Sequence, residues 1–328
     1  MNLKTIQTIG LSAAATFFVG SIAHAQEYDV RLGSIFAPGV PIVKCGAMSM
    51  AESTSLQEAG IDVSVIHSAQ LGSENQLAEQ VSTGELELAP ITSSILAAWV
   101  EDLAVFETYY LYENVDQAMN VYETDTAQEL LDELLEVANI RVIGKPWLYG
   151  ERHVFGNVKI NGPEDLEGLR MRVPETFISI EGAKSLGAEP TPVAYAELYL
   201  ALQQGIVEAA EAPLSVIEAE SFDEPSDYVN LTGHLITAQP FIVNEGFWQG
   251  LTEKQQEALD NAATQASKNV RECVAEADAA ALEGWKKDDS TEVVEDIDVE
   301  AIREASQAFF SEGFPFSETY VNLLEELK

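Results

Sequence analysis

Apolar positions recur along this chain with two alternating periods. Tyr28, Val30 and Leu32 share one face of the segment from Glu27 to Gly33, and Ile61, Val63 and Val65 repeat the pattern; period two predicts strands. A helix is expected from about Pro41. Leu77, Ala78 and Val81 have helical spacing, with Ser73 as the cap that opens the helix and Gly84 as the residue that closes it. Leu86 to Ala89 reads as a third strand. The run from Asp102 to Tyr112 is aromatic and apolar, as a buried connection would be. Leu130, Leu131, Leu134, Leu135 and Ala138 form the inner stripe of an amphipathic helix over Thr126 to Asn139, and a further strand follows from Ile140 to Lys145. Pro146 to Arg152 crowds aromatics around a glycine, and Arg152 begins the next strand. Leu235 to Val243 is a long apolar stretch interrupted by Pro240, expected to run between two lobes. Thr252-Glu-Lys-Gln255 is a capping box that opens an alanine-rich helix reaching about Trp285. Lys286 to Asp298 reads as a charged linker, and helices near Ala301 to Phe310 and Thr319 to Leu327 finish the chain.

The most regular alternation of β and α spans Asn161 to Pro213. Pro163 suits the first turn of a short helix. Asp165-Leu-Glu-Gly-Leu-Arg-Met-Arg-Val-Pro174 then enters a strand in which Leu169, Met171 and Val173 point to one side and Arg170 and Arg172 to the other. Tyr195 to Gln204 is a helix bounded by Gly205, and Ile206 to Glu211 a strand. This order predicts an α/β fold, in which ligands sit beyond the carboxyl ends of the strands. Arg172 stands at such an end, and a guanidinium grips a carboxylate through two parallel hydrogen bonds. Arg170, further back, reads as a surface residue paired with an acid. Phe36, in the loop after the first strand, and Thr92 and Ser93, after the third, lie where a ligand could meet them. The two hydroxyls also suit the cap of the following helix.

Residues 1–25 carry one lysine, an apolar run from Ile9 to Ile22 and Ala23-His24-Ala25, the pattern of a secretory signal cleaved after Ala25. No later stretch approaches the roughly 20 apolar residues of a membrane helix, so an exported protein without direct membrane insertion is expected. The remaining chain, of about 300 residues, favours two domains. The chain has 17 bases and 55 acids; the signal holds one of those bases and no acid, so 16 bases and a charge near −39 remain. Such acidity argues against nucleic-acid or anionic-membrane partners. An anionic ligand must then be held by a few local cations. Salt shortens the screening length and makes such self-repulsion tolerable, as a saline habitat would. Cys45 and Cys273 permit one disulfide in an oxidising compartment; both fall in predicted helices, where a buried free thiol is equally at home. The three histidines beyond the signal, His67, His153 and His234, are scattered and offer no paired metal spacing. Nucleophile elbow, phosphate loop, dinucleotide fingerprint and HExxH motifs are all missing from the sequence.

Four motifs together, Val65-Ile-His-Ser-Ala-Gln-Leu-Gly72, Asp165 to Pro174, Gly187-Ala-Glu-Pro-Thr-Pro192 and Glu197-Leu-Tyr-Leu-Ala-Leu-Gln-Gln-Gly-Ile-Val207, resemble the periplasmic substrate-binding proteins of TRAP transporters, the DctP-type extracytoplasmic solute receptors. The similarity covers essentially all of the chain after the signal and is weakest past Glu295. It implies two α/β lobes joined by crossing strands and a long helix, lobe 1 from 26–149 with about 238–277 and lobe 2 from 150–237 with about 278–328. It also implies capture of a small organic acid and its delivery to small and large permease subunits in the membrane, with no cofactor, ATP or catalysis. By the resemblance Arg172 is the carboxylate anchor, Arg152 an assisting arginine, Tyr195 an aromatic beneath the ligand, and Thr92 and Ser93 polar contacts from the first lobe. In Glu211-Ala212-Pro213 an alanine stands where relatives specific for sialic acid carry a ligand-binding Asn. With Glu211 beside it as a further binding residue and Trp147, Tyr149, Phe36 and Tyr195 near in sequence, Ala212 points to a less polar pocket and a monocarboxylate, hydroxy or keto acid with an apolar portion; sugar acids and C4-dicarboxylates also fit. The competing readings are a periplasmic enzyme, for which the sequence offers no nucleophile or metal site, and the ligand-binding subunit of a sensor for organic acids.

Overall fold

The computed structural model describes residues 27–288 and 291–327. The signal segment lies outside them. Two sheets form two lobes. In the first, β1 (Tyr28–Gly33) pairs in parallel with β2 (Ile61–Ile66), from Tyr28 against Ile61 to Gly33 against Ile66. On its other side β1 meets β3 (Leu88–Pro90), and β3 is followed by β10 (Phe241–Asn244) and β4 (Ile140–Val142), both antiparallel, giving the order β2-β1-β3-β10-β4. The second sheet has the order β11-β9-β5-β8-β6-β7. Its members are β5 (Trp147–Gly156), β6 (Arg170–Val173), β7 (Glu189–Pro192), β8 (Ala209–Pro213), β9 (Tyr228–Gln239) and β11 (Glu292–Val294).

The chain crosses between the sheets three times, by short links between β4 and β5 and at Pro240, and by the helical stretch between β10 and β11. A proline has no N–H for the ladder, so β9 ends at Gln239 and β10 starts at Phe241 in the other sheet, while the Pro240 carbonyl accepts from Ile91 N–H at 3.0 Å. The expected interlobe strand thus exists, but it begins seven residues earlier than its apolar stretch. Asn230, Thr232 and His234 hid the start. These polar residues are fully buried because they serve the neighbouring backbone: Asn230 accepts from Ile160 N–H and donates to Val154 and Val158 carbonyls, and Thr232 accepts from Val154 N–H and pairs with His234. The aromatic segment before Arg152 is likewise strand rather than loop. Gly150, at φ 138°, marks a bulge, with the register on β9 shifting between Leu148 and Gly150, so Arg152 sits inside β5 instead of starting it. The predicted linker Lys286 to Asp298 contains β11, whose outward Glu292 pairs with Lys159 and so reads as charged.

A helix of 36 residues, Glu253–Asp288, runs about 54 Å at ~1.5 Å per residue and packs on both lobes. It opens with the expected capping box, Thr252 Oγ1 accepting from Gln255 N–H and the Gln255 side chain accepting from Thr252 N–H. A disulfide joins its Cys273 to Cys45 in the first helix, which is a π-helix over Ile42–Ala47 and α over Met48–Ala51. Their close approach requires Gly46. A Cβ there would lie 2.7 Å from Val270 and 2.8 Å from Trp147. Beyond the long helix, Val299–Phe310 packs on Phe177–Ser185. The last helix, Ser317–Glu326, turns back to the segment between β3 and β4: Thr319 donates to Asp102, Thr126 donates to Glu326, and Gln117 donates to the Leu327 carbonyl.

Candidate functional site

Between the lobes lies a cavity of about 340 Å³, small among sites for organic ligands. Its walls come from residues at or just past the carboxyl ends of β1, β2, β3, β6 and β7, from Glu211 in the middle of β8, and from Tyr149 and Arg152 of β5 and Leu235 and Gln239 of β9. That is the crevice where parallel strands leave backbone and side-chain groups converging.

Arg172 is held at the end of β6 and is 3% exposed. Its Nε–H donates to the Val193 carbonyl at 2.9 Å, and among the described residues no carboxylate lies within ion-pair distance of it. Burial lowers its pKa, with Glu211 pulling the other way and Arg152 reinforcing the decrease. It is a cation facing the cavity with its terminal nitrogens uncommitted. Arg170 differs as expected: it is exposed and bound to Glu208 at 3.1 Å.

Arg152 also lines the cavity, but its charge is already answered. Its Nη2 donates to Glu211 Oε1 at 2.6 Å and its Nε to Glu211 Oε2, a fork-to-fork pair, and its guanidinium lies 5.3 Å from the centre of the Tyr149 ring. Burial would raise the Glu211 pKa; Arg152 overrides that and holds it at about 2. His234 Nε2 lies 3.7 Å from the same carboxylate.

Phe36, Tyr149 and Tyr195 form one aromatic wall, Phe36 stacked on Tyr149 at 4.9 Å and edge-on to Tyr195 at 5.2 Å. Phe36 is therefore both packing and lining. The Tyr195 hydroxyl is buried without a hydrogen-bond partner among the described residues. Thr92 lines the opposite lobe's wall, and its N–H and Oγ1 both donate to Glu74 Oε1, at 2.7 and 3.0 Å. It occupies the cap position of the helix Ser93–Leu96 but makes no side-chain cap bond.

Three sequence candidates do not reach the cavity. Ser93 turns inward and shares a 2.6 Å hydrogen bond with the Tyr122 hydroxyl, leaving Ser94 to line the site in its place. Trp147 is fully buried beneath the long helix, stacked on Phe241 at 4.5 Å with its indole N–H on the Ala263 carbonyl. Ala212 follows Glu211 in β8, and strand alternation sends the two side chains to opposite faces; Glu211 faces the site and Ala212 faces away. The alanine therefore does not make the pocket apolar. Instead Glu74, Glu107, Gln239, Asn75 and Ser94 line it, none of which sequence reasoning singled out. Burial raises the Glu74 pKa against the opposing Thr92 bonds, and it pushes Glu107 up to about 7, partly offset by Ser94. In a chain with 55 acids nothing local separates these two from solvated ones. Gln239 carried one signal, its place before the proline that ends the crossing strand.

Among the described residues no cluster of three or more His, Cys, Asp or Glu could hold a metal ion, and no helix is long and apolar enough to cross a membrane. The arrangement can bind an anion at Arg172 and polar groups elsewhere in the interlobe cavity.

Comparison with known proteins agrees. The model of the family described as "Bacterial extracellular solute-binding protein, family 7" matches residues 42–314. The sialic acid-binding periplasmic protein SiaP of Vibrio cholerae is 26% identical over 95% of this chain and 94% of its own. A TRAP periplasmic solute-binding protein of Actinobacillus succinogenes, solved with bound L-galactonate, superposes with a TM-score of 0.84 at 27% identity, over 92% of this chain and 99% of that one. One from Roseobacter denitrificans, solved with 3-deoxy-D-manno-oct-2-ulosonic acid, gives a TM-score of 0.86 at 23% identity over 92% and 99%, a likeness of fold.

Proposed function

This chain belongs to bacterial extracellular solute-binding protein family 7, and from that premise we propose that it captures a small organic acid in the interlobe cleft and delivers it to the membrane subunits of a TRAP transporter. It is a binding protein and not an enzyme, as its relatives are. The observation that carries the reading is Arg172: a guanidinium 3% exposed, facing the cavity, with no carboxylate partner among the described residues. A ligand carboxylate would complete it through two charge-assisted hydrogen bonds. The aromatic wall of Phe36, Tyr149 and Tyr195 would pack against the carbon skeleton. Arg152, already paired with Glu211, would act mainly by shaping that wall and by adding positive potential.

Thr92 and Glu74 come from the first lobe and Arg172 and Tyr195 from the second. A ligand that touches both binds the closed arrangement more tightly than an open one, and so shifts the balance between them by its differential affinity. A permease that recognises the closed form thereby reads occupancy. The lobes would divide in the short crossings, residues 143–146 and Pro240, with the long helix as a shared spine. Export through the predicted signal would place the protein in the periplasm.

The test is a thermal-shift screen of the exported protein, unfolded and refolded to remove carried ligand, against a panel of organic acids; a ligand that binds only the native state raises the midpoint by mass action. A hit that disappears in Arg172→Ala supports the assignment. An unchanged hit in that variant removes Arg172 as the anchor. Loss of uptake of the same acid in a strain lacking this protein would establish the transport role, and unchanged uptake would oppose it.

A further inference from the structure

The cleft holds more polar groups than one carboxylate needs. Glu107, from the 3-10 turn Glu101–Glu107, and Gln239, at the end of β9, are 7% and 0% exposed and both line the cavity. Glu107 Oε1 and both terminal atoms of Gln239 have no hydrogen-bond partner among the described residues. Folded proteins rarely leave such atoms unmet, because each has given up its hydrogen bonds to water. Both residues belong to the lining of one cavity, where a ligand would offer them partners.

The charge pattern narrows what that ligand can be. Among the described residues, only Arg152 and Arg172 bring positive charge to the lining, and Arg152 is neutralised by Glu211. One free cation accepts one carboxylate. Glu74 and Glu107 stand elsewhere in the lining and would repel a second anionic group. A plain aliphatic tail would leave the Glu107 and Gln239 atoms unmet. An ammonium would suit the two carboxylates, but it has no acceptor for the Gln239 N–H groups. A hydroxyl both donates and accepts, and so matches a carboxyl oxygen and an amide together.

Resting on the acid-capture reading, we infer that Glu107 and Gln239 form a hydroxyl-recognising subsite, so that the solute is a polyhydroxylated monocarboxylate of the aldonate type and neither a dicarboxylate nor an acid with an apolar tail. The carboxyl of Glu107, pushed up to about 7 by burial, can accept from a hydroxyl when ionised and donate to one when protonated. Ser94 and the second oxygen of Glu74 lie in the same lining and extend the polar surface.

Calorimetric titration of the refolded protein with aldonates of four to six carbons, with hexanoate, with succinate and with a neutral amino acid tests this. At least one aldonate should bind 100-fold or more tightly than the other three classes. Glu107→Gln, close in shape, and Gln239→Met should each weaken that aldonate about tenfold or more, while changing weak hexanoate binding less than threefold; unfolding midpoints verify that both variants fold. Hexanoate, succinate or the amino acid binding as tightly as the best aldonate would overturn the subsite and leave acid capture standing. Both substitutions leaving aldonate affinity unchanged would overturn it as well. No binding by any acid would remove acid capture and the subsite together.

Discussion

Replacing Arg172 with methionine should abolish binding while leaving the ligand-free fold as stable as before, or more so. The guanidinium is 3% exposed and makes one hydrogen bond to a neutral carbonyl. Its loss from the complex removes two charge-assisted hydrogen bonds at ~1.5–3 kcal/mol each. That is about 3–6 kcal/mol, or roughly 10²–10⁴ in Kd. In the free protein the balance runs the other way. Methionine forfeits the charge-assisted bond to Val193, about 1.5–3 kcal/mol, but removes a buried charge with no partner in contact, whose desolvation costs several kcal/mol even after attraction from Glu211. A net gain of about 1 kcal/mol would raise the midpoint of a protein this size by roughly 2 °C. Thermal unfolding of refolded wild type and variant, each with and without the acid found in the screen, gives both numbers. Arg172→Lys, which keeps the charge and loses the planar fork, should fall between them in affinity. If the methionine variant lost ~3–5 kcal/mol of stability, as when one partner of a buried ion pair is removed, Arg172 would be a structural residue and the argument from its unpaired state would fail.

The same logic with opposite sign applies to Arg152 and Glu211, whose side chains are 8% and 1% exposed. Denaturant melts should show Arg152→Met and Glu211→Leu each losing ~3–5 kcal/mol and the double variant losing clearly less than their sum; strict additivity would mean that the pair does not act as a unit. Stability should fall in acid for two reasons. Glu211, held at about 2 against an ordinary 4.5, contributes fully above 4.5 and loses that contribution as pH falls toward 2; His153, kept neutral by burial with its pKa at about 3 against 6.5, favours the fold less as the unfolded chain takes up protons below 6.5. Glu107 runs opposite, since at about 7 the folded state holds a proton that the unfolded state has released above 4.5. Glu107→Gln should therefore stabilise the free protein increasingly from pH 4.5 to 7, approaching about 3 kcal/mol at ~1.36 per unit, and denaturant melts across that range showing a constant difference would oppose the assignment. The disulfide closes a separation of 228 residues, for which chain entropy gives a ceiling of about 5 kcal/mol; reductant, or Cys45→Ser with Cys273→Ser, should lower the urea midpoint measurably, and no change would mean that the bond does not form in solution.

The site was partly visible in the chain because some of its residues mark the ends of regular elements. Arg172 is named by strand alternation and by its place before Val-Pro, and Phe36 and Thr92 by the loops after strands. Other assignments failed where a side chain's direction depends on a distant partner. Ser93 turns toward Tyr122, which lies 29 residues away. Trp147 is drawn under a helix that begins more than one hundred residues later. Ala212 followed from a rule about relatives, and its neighbour Glu211 takes the face toward the cleft.

Local grammar could be read along the chain: the strands of period two, the capped helices at Ser73 and Thr252, the turn glycines, and the order of elements that makes an α/β protein. These depend on contacts within a few residues, which a linear reading contains. The tertiary structure decided which charges are answered. Arg152 and Arg172 read alike as arginines on strands, yet only one meets Glu211, through the pairing of β5 with β8. It also decided that Asn230 and Thr232 serve backbone groups while Glu107 Oε1 and both terminal atoms of Gln239 have no partner among the described residues. Burial and compensation are properties of neighbours brought together by folding, and they separate an acid or amide that builds the fold from one left free to meet a ligand.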